Sequence, residues 1–441
     1  MTAHHGAHLP SRQEIAAATD RPLPRAFTLL SLVLAAIGAL VFIVGAVMGE
    51  NRAWQALHFN WLYFTSLSQA GVVFVAVQRI TTARWSRPVV RFLEGYVAFL
   101  PVAFLLLVLI FLGGKHIFPW MTHPVTVPEK RLYLRPGFLI TRDLVLFGAI
   151  TLLSCWYIYT SVRLDVGGLP ERGAAWARGL RERMRRGYRD ERREIHSTHS
   201  LQGKLAVAIC LCFNFFFIIL AWDLSMSLDL HFQSTMYGWW FYMGGWLGAL
   251  ASWSLLTIWW RRYLNVYDLV TESHFHDLGK LVFAFTAFWG YLTFAQYLVI
   301  WYGNMAEETH WPRLRLIPPW EPLGIAVVFL VFVIPFFGLL SRAAKVYLPT
   351  FVAFASCSIV GLWILRYLEV YPSLHFRSTV APMGIWEFGV MLGYVGLWGL
   401  CYSAFMNAFP RMRVTLMTSP YRDEVQVPVD PETMEPLPAH E

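Results

Sequence analysis

The chain has 441 residues, of which 56% are hydrophobic, 16% aromatic and only 15% charged, whereas ordinary globular proteins carry about 25% charged residues. A soluble chain this poor in charge lacks the side chains to cover its surface, so composition excludes a water-soluble multidomain protein and points to an integral membrane protein. The net charge of +8 invites a nucleic-acid reading, which the placement of the charges removes.

The first 25 residues are polar, with His4, His5, Pro10, Pro22, Pro24 and three Arg. They lack the short apolar run and small-residue cleavage site of a removable signal peptide, so the first apolar segment is expected to remain as an anchor. A membrane helix needs about 20 mostly apolar residues. Ten windows free of Asp, Glu, Lys and Arg approach or exceed that length: 26–49, 53–78, 95–114, 144–162, 205–222, 236–260, 281–306, 323–340, 346–365 and 388–409. Continuous runs of this kind predict helices, since barrel strands are shorter and alternate. The expected fold class is an all-α membrane protein of ten transmembrane helices, with a membrane domain at 26–409 between tails at 1–25 and 410–441.

Lys and Arg in the connections set orientation. One side, with both tails, carries 26 of them and the other 10, so both termini are expected in the cytoplasm. The basic excess is topological and nucleic acid drops out as a partner. The connection between the fourth and fifth windows, 163–204, holds Trp176, Leu180, Met184 and Tyr188 at every fourth residue among nine Arg. That spacing predicts an amphipathic helix over 171–194 lying on anionic lipid headgroups; a solvated charged helix is the plainer alternative.

Cys155, Cys210, Cys212, Cys357 and Cys401 all lie in apolar windows without a CxxC, so they read as small buried hydrophobes and predict no iron–sulfur centre or other metal site in this chain. His58 is the one histidine inside a window. Haem held between membrane helices takes pairs of His, so no intrinsic haem is expected.

Ionisable groups at membrane depth are expensive and therefore functional candidates; here they gather at the rims. The outer rim has Arg142, Asp143, Asp223, Asp229, His231, Arg366, Glu369 and Glu387. The inner rim has Glu94 and a denser set, His274, His276, Asp277 and Lys280, whose i,i+3 and i,i+4 spacings let the side chains meet. A His beside a carboxylate exchanges protons near neutral pH; alternatively Asp277 caps its helix and Lys280 snorkels. Between the rims, Thr65, Ser66, Ser68 and Gln69 in the second window and Thr286, Thr293, Gln296 and Tyr297 in the seventh suit either a hydrated half-channel or helix–helix hydrogen bonds.

Two runs are unusually rich in polar and aromatic residues: AWDLSMSLDLHFQSTMYGWWFYMGGWLGALA at 221–251 and HFHDLGKLVFAFTAFWGYLTFAQYLVIWYGNMAEETHW at 274–311. With SQAGVVFVAVQRITTARWSRPVVRFLE at 68–94, FLPVAFLLLVLIFLGGKHIFPW at 99–120 and FVIPFFGLLSRAAKVYL at 332–348, they closely resemble the smaller polytopic subunit of bacterial alternative complex III. That subunit belongs to the polysulfide-reductase membrane-anchor (NrfD-like) family. The resemblance implies ten helices in the bacterial cytoplasmic membrane, the second to fifth and sixth to ninth forming two four-helix bundles. It further implies a quinol:electron-acceptor oxidoreductase whose redox centres sit on partners: a periplasmic iron–sulfur subunit, haem c subunits and a larger homologous membrane subunit, with cytochrome c or a terminal oxidase as acceptor. For this chain it implies anchoring and proton half-channels, entering at His274, His276, Asp277 and Lys280 and leaving by Asp223, Asp229, His231 and Glu369; Glu94 is a further proton-transfer candidate.

The alternative is an anchor that binds quinone itself, with Asp223, His231 or Glu387 taking the hydroxyl proton. A secondary transporter would interrupt matching helices of its two halves at mid-membrane. The deepest prolines, Pro101 and Pro335, are in the third and eighth windows, which do not correspond.

Overall fold

The computed structural model describes residues 11–425; the expectations for His4, His5, Pro10 and the tail at 426–441 lie outside the described residues. Ten long helices organise the chain: α1 (Arg25–Val47), α2 (Asn51–Ile80), α3 (Val90–Leu112), α4 (Pro136–Gly168), α5 (Glu191–Leu224), α6 (Tyr237–Leu264), α7 (Glu272–Gly303), α8 (Glu321–Gly338), α9 (Leu348–Leu374) and α10 (Ile385–Ala408). No strand is present among the described residues. Nine of them, all but α6, are long and apolar enough to cross a membrane. α6 is 28 residues long and uncharged as far as Trp260, but its many Trp, Tyr and Gly lower its mean hydropathy.

Several helices run past the apolar windows. α4 has 33 residues and α5 has 34, so Arg142, Asp143, Asp165 and Asp223 are helical. Hydropathy ends a window at the first charge, whereas a helix continues where that charge is paired inside the protein. In α8, residues Val328–Val333 are wound as a π-helix just before Pro335. Proline cannot donate to the carbonyl four residues back and its ring crowds it, and a widened turn relieves both.

α2 is the central pillar, buried along most of its length, and it contacts α1, α3, α5, α6, α9 and α10. Contacts also link α3 to α4 and α4 to α5, while α6, α7, α8 and α9 touch in a closed circuit. α1 lies outside against α10, where glycines replace side chains: a Cβ on Gly393 would lie 2.8 Å from the Cα of Gly38. Close backbone approach of this kind supplies the dispersion contacts that hold helices together in lipid. The outward face of α1 exposes Leu29, Leu32, Leu40 and Ile43.

Both described chain ends gather at one end of the helices. Arg12, in a short helix at Arg12–Ala18, pairs with Glu191 at 2.7 Å and Arg192 pairs with Glu424 at 2.7 Å. The parts of the tails that are described are thus packed structure. The single amphipathic helix expected over 171–194 is corrected: Arg178–Arg185 is one short helix and α5 starts at Glu191, with Gly187 at φ 79° between them. The stripe divides because Met184 is buried and the Tyr188 ring lies against Gly167, while Trp176 and Leu180 stay exposed.

Candidate functional site

At the end opposite the termini, α4 starts with Pro136, which suits a first helical turn, and this places Arg142 and Asp143 two turns in. α5 packs along α4 and brings Asp223, in its last turn, to the same level. Arg142 donates to Asp223 Oδ2 from Nη2 (2.6 Å) and Nε (3.0 Å), and its guanidinium lies 4.1 Å from the Tyr133 ring centre. Asp143 is fully buried, and neither of its oxygens nor Asp223 Oδ1 has an ordinary donor. Asp143 has Asp223 and Arg142 as charged neighbours, so Arg142 is the counter-charge beside both acids.

Next to it, α6, α7, α9, the helix Ala306–Arg315 and the first turns of α8 line an aromatic-walled cavity of about 160 Å³. Trp240, Trp289, Trp311 and Tyr297 line it, together with Gln296 and Glu369. Its walls are locked by hydrogen bonds: Trp240 Nε1 donates to Thr293 Oγ1 (2.9 Å), and the Tyr237 and Ser225 hydroxyls are 2.6 Å apart. Glu369 accepts from Arg366 Nη1 at 2.7 Å, and Arg366 Nη2 donates to the Phe241 carbonyl at 2.6 Å. Arg315 lies 3.5 Å from the Trp311 ring centre and donates to the Leu368 and Glu369 carbonyls; burial pulls it down to about 9, which leaves it charged at neutral pH. Gln296 Oε1 is buried without a donor. A wider recess of about 630 Å³, with Ser234, Thr235 and Glu308 at its edge, shares Gln296 and Ile300 with the cavity.

The other expected outer residues go elsewhere. Glu387 is saturated by Arg52 (2.8 Å), Tyr371 Oη (2.7 Å) and the Gly384 N–H (2.8 Å). Asp229 Oδ1 accepts from the His231 and Phe232 N–H groups in a turn, and His231 itself is exposed. Of the three residues considered for a quinone hydroxyl, Asp223, His231 and Glu387, none lines the aromatic cavity; Glu369 does.

At the terminal end, Glu94 is fully buried between Arg91 (2.5 Å) and Arg413 and accepts from Ser161 Oγ (2.7 Å). Arg91 also pairs with Asp165, so two guanidiniums and two carboxylates close a neutral quartet. The helix-7 group separates: Asp277 pairs with Lys280 at 2.8 Å, while His274, not Asp277, completes the cap with Thr271. Asp277 lies too deep in the helix to reach the unpaired N–H groups of its first turn. His276 is partly exposed beside them.

The mid-depth polar residues do not share one set of partners. Gln69 Nε2 donates to Ser154 Oγ (2.8 Å), Ser68 Oγ accepts from Trp398 Nε1 (3.0 Å), and Ser66 bonds the Tyr63 carbonyl in its own helix. Thr65 and Thr286 keep buried hydroxyls without a partner. Sequence reasoning passed over Arg91, Asp165 and Arg413, and gave Asp143 no partner. The Arg91–Glu94 spacing of three was the one local signal; the other partners are distant in the chain. His58 packs edge-on to Phe118 at 5.3 Å. Neither a family model nor a curated relative matches the chain.

Proposed function

We propose that this chain is a ten-helix membrane subunit of a quinol:electron-acceptor oxidoreductase of the alternative complex III type, anchoring the complex and moving protons. One observation carries the reading. The two runs on which the resemblance rests, 221–251 and 274–311, are far apart in sequence, yet they build adjoining parts of one region: Asp223, Ser225, Tyr237, Trp240, Thr293, Gln296 and Trp311 all fall there. Treating α6 as the tenth span fits the gathering of both described chain ends at one end, because an odd number of crossings would separate them. The helix contacts fit two four-helix bundles, α2–α5 and α6–α9. The Lys and Arg bias fits termini on the cytoplasmic side, and the resemblance implies a bacterial membrane. The Asp143–Asp223 pair is then the proton-holding group near the outer surface, and Asp277 with Lys280 lies at the inner one.

The test is to isolate the tagged chain from its native membrane in mild detergent. The expected result is co-purification of haem c and iron–sulfur subunits with quinol oxidation; a stable chain that comes away alone, without haem or activity, overturns the reading. A second reading, direct quinone binding, is favoured by the aromatic cavity. Its walls suit a quinone ring, and the unpaired Gln296 Oε1 suits the hydroxyl of a quinol, which donates. A photoreactive quinone that labels only the larger membrane subunit rejects it.

A further inference from the structure

Another site is built at the terminal end. The last turn of α2 with the loop behind it, the third and fourth turns of α5, and Arg413 enclose a cavity of about 60 Å³. That is room for roughly four waters or one tetrahedral anion. Gln78, Arg79, Thr198, His199, Gln202 and Arg413 supply polar groups to its wall, and no Asp or Glu is among the lining residues that the structure describes.

The donors there outnumber the acceptors. Gln78 is 7% exposed; its Oε1 accepts from Ser86, and its Nε2 is buried with no acceptor. Arg79 donates from Nη2 to the His199 carbonyl at 2.9 Å, while its buried Nε has no acceptor. The charged neighbour of Arg79 is Arg413, whose own charge is matched by Glu94 on the far side. A half-buried guanidinium without a carboxylate, beside an unpaired amide N–H, calls for a negatively charged ligand with several acceptor oxygens. The cavity lies just beyond the charge-free windows 53–78 of α2 and 205–222 of α5, where a membrane-crossing helix would meet lipid headgroups.

We propose that this cavity binds a phosphate-type oxyanion, supplied by an anionic phospholipid headgroup or by free phosphate. The site stands apart from the electron-transfer reading and holds whether or not that reading does.

The test uses the full chain in phosphatidylcholine nanodiscs, with thermal unfolding followed as phosphatidylglycerol is added, and in parallel as inorganic phosphate replaces chloride at constant ionic strength. Phosphatidylglycerol raises the wild-type midpoint. Arg79→Gln matches the wild type in pure phosphatidylcholine but needs about fivefold more anionic lipid for the same gain. Thr198→Val, nearly isosteric and lacking the hydroxyl, shows a smaller loss. A gain from inorganic phosphate identifies a free anion as the source, and a gain from lipid alone identifies the headgroup. No gain from either overturns the proposal. So does an equal gain in Arg79→Gln, which would put the anion on the exposed arginines of 172–193. If Arg79→Gln fails to fold, Thr198→Val decides, and wild-type affinity there overturns it.

Discussion

Replacing Arg142 with Gln strips the Asp143–Asp223 pair of its counter-charge. Asp223 is fully buried and the Arg142 side chain is 14% exposed, so little water can take the guanidinium's place. Breaking such a pair from one side costs about 3–5 kcal/mol, because the remaining charge is left uncompensated. Loss of the stacking of Arg142 on Tyr133 and Phe138 adds about 0.5–1 kcal/mol for each ring. In a chain of this size the total corresponds to a fall in the unfolding midpoint of roughly 5 °C or more. The double variant Arg142→Gln/Asp223→Asn removes the stranded charge and keeps only the stacking loss, so it should recover about 3–5 kcal/mol relative to the single variant. Thermal unfolding of the four proteins of this cycle in one detergent gives the coupling directly. A double variant no more stable than Arg142→Gln refutes the ion-pair argument.

Asp143→Asn should remove one protonated-carboxyl absorption from the infrared spectrum at neutral pH; an unchanged spectrum means that no proton is shared there. Gly38→Val drives side-chain atoms into the Gly393 backbone, and overpacking costs about 1–3 kcal/mol; a protease-resistant variant with the wild-type midpoint would contradict the close α1–α10 contact. His375, just past α9, hydrogen-bonds Gln55 at 2.7 Å, and burial and Arg52 hold it below the ordinary 6.5, against the pull of Glu387. The unfolded chain therefore takes up this proton first, so stability is lost as pH falls below about 6.5. His375→Gln should flatten that dependence, and an unchanged slope would assign it to other groups.

Much of the architecture was legible because lipid solvation acts on about 20 residues at a time. Each of the ten charge-free windows lies wholly or largely within one of the ten long helices. What failed were the ends, since α4 and α5 continue through charges that are paired in space. The stripe at 171–194 failed for a related reason: periodicity identifies a face but not what it meets, and Met184 meets protein while Trp176 does not. For the site, sequence singled out Asp223, Glu369, Glu94 and Glu387 as ionisable groups at helix ends, which is where they are. Their chemistry was hidden. Glu387 and Glu94 are closed by arginines, Glu369 faces an aromatic cavity, and Asp223 faces another acid.

The low charge and its uneven spread thus determined, from sequence alone, that the chain is a helical membrane protein whose charges keep to the ends of its helices. Only the tertiary structure decided which charges neutralise one another. Arg142 and Asp223 are 81 positions apart, Glu94 and Arg413 are 319, and Arg52 and Glu387 are 335. No local pattern encodes such pairings, because the cost of burying a charge is met by whatever group packing brings alongside it. The same holds for Arg79, which packing leaves at a cavity without an acid.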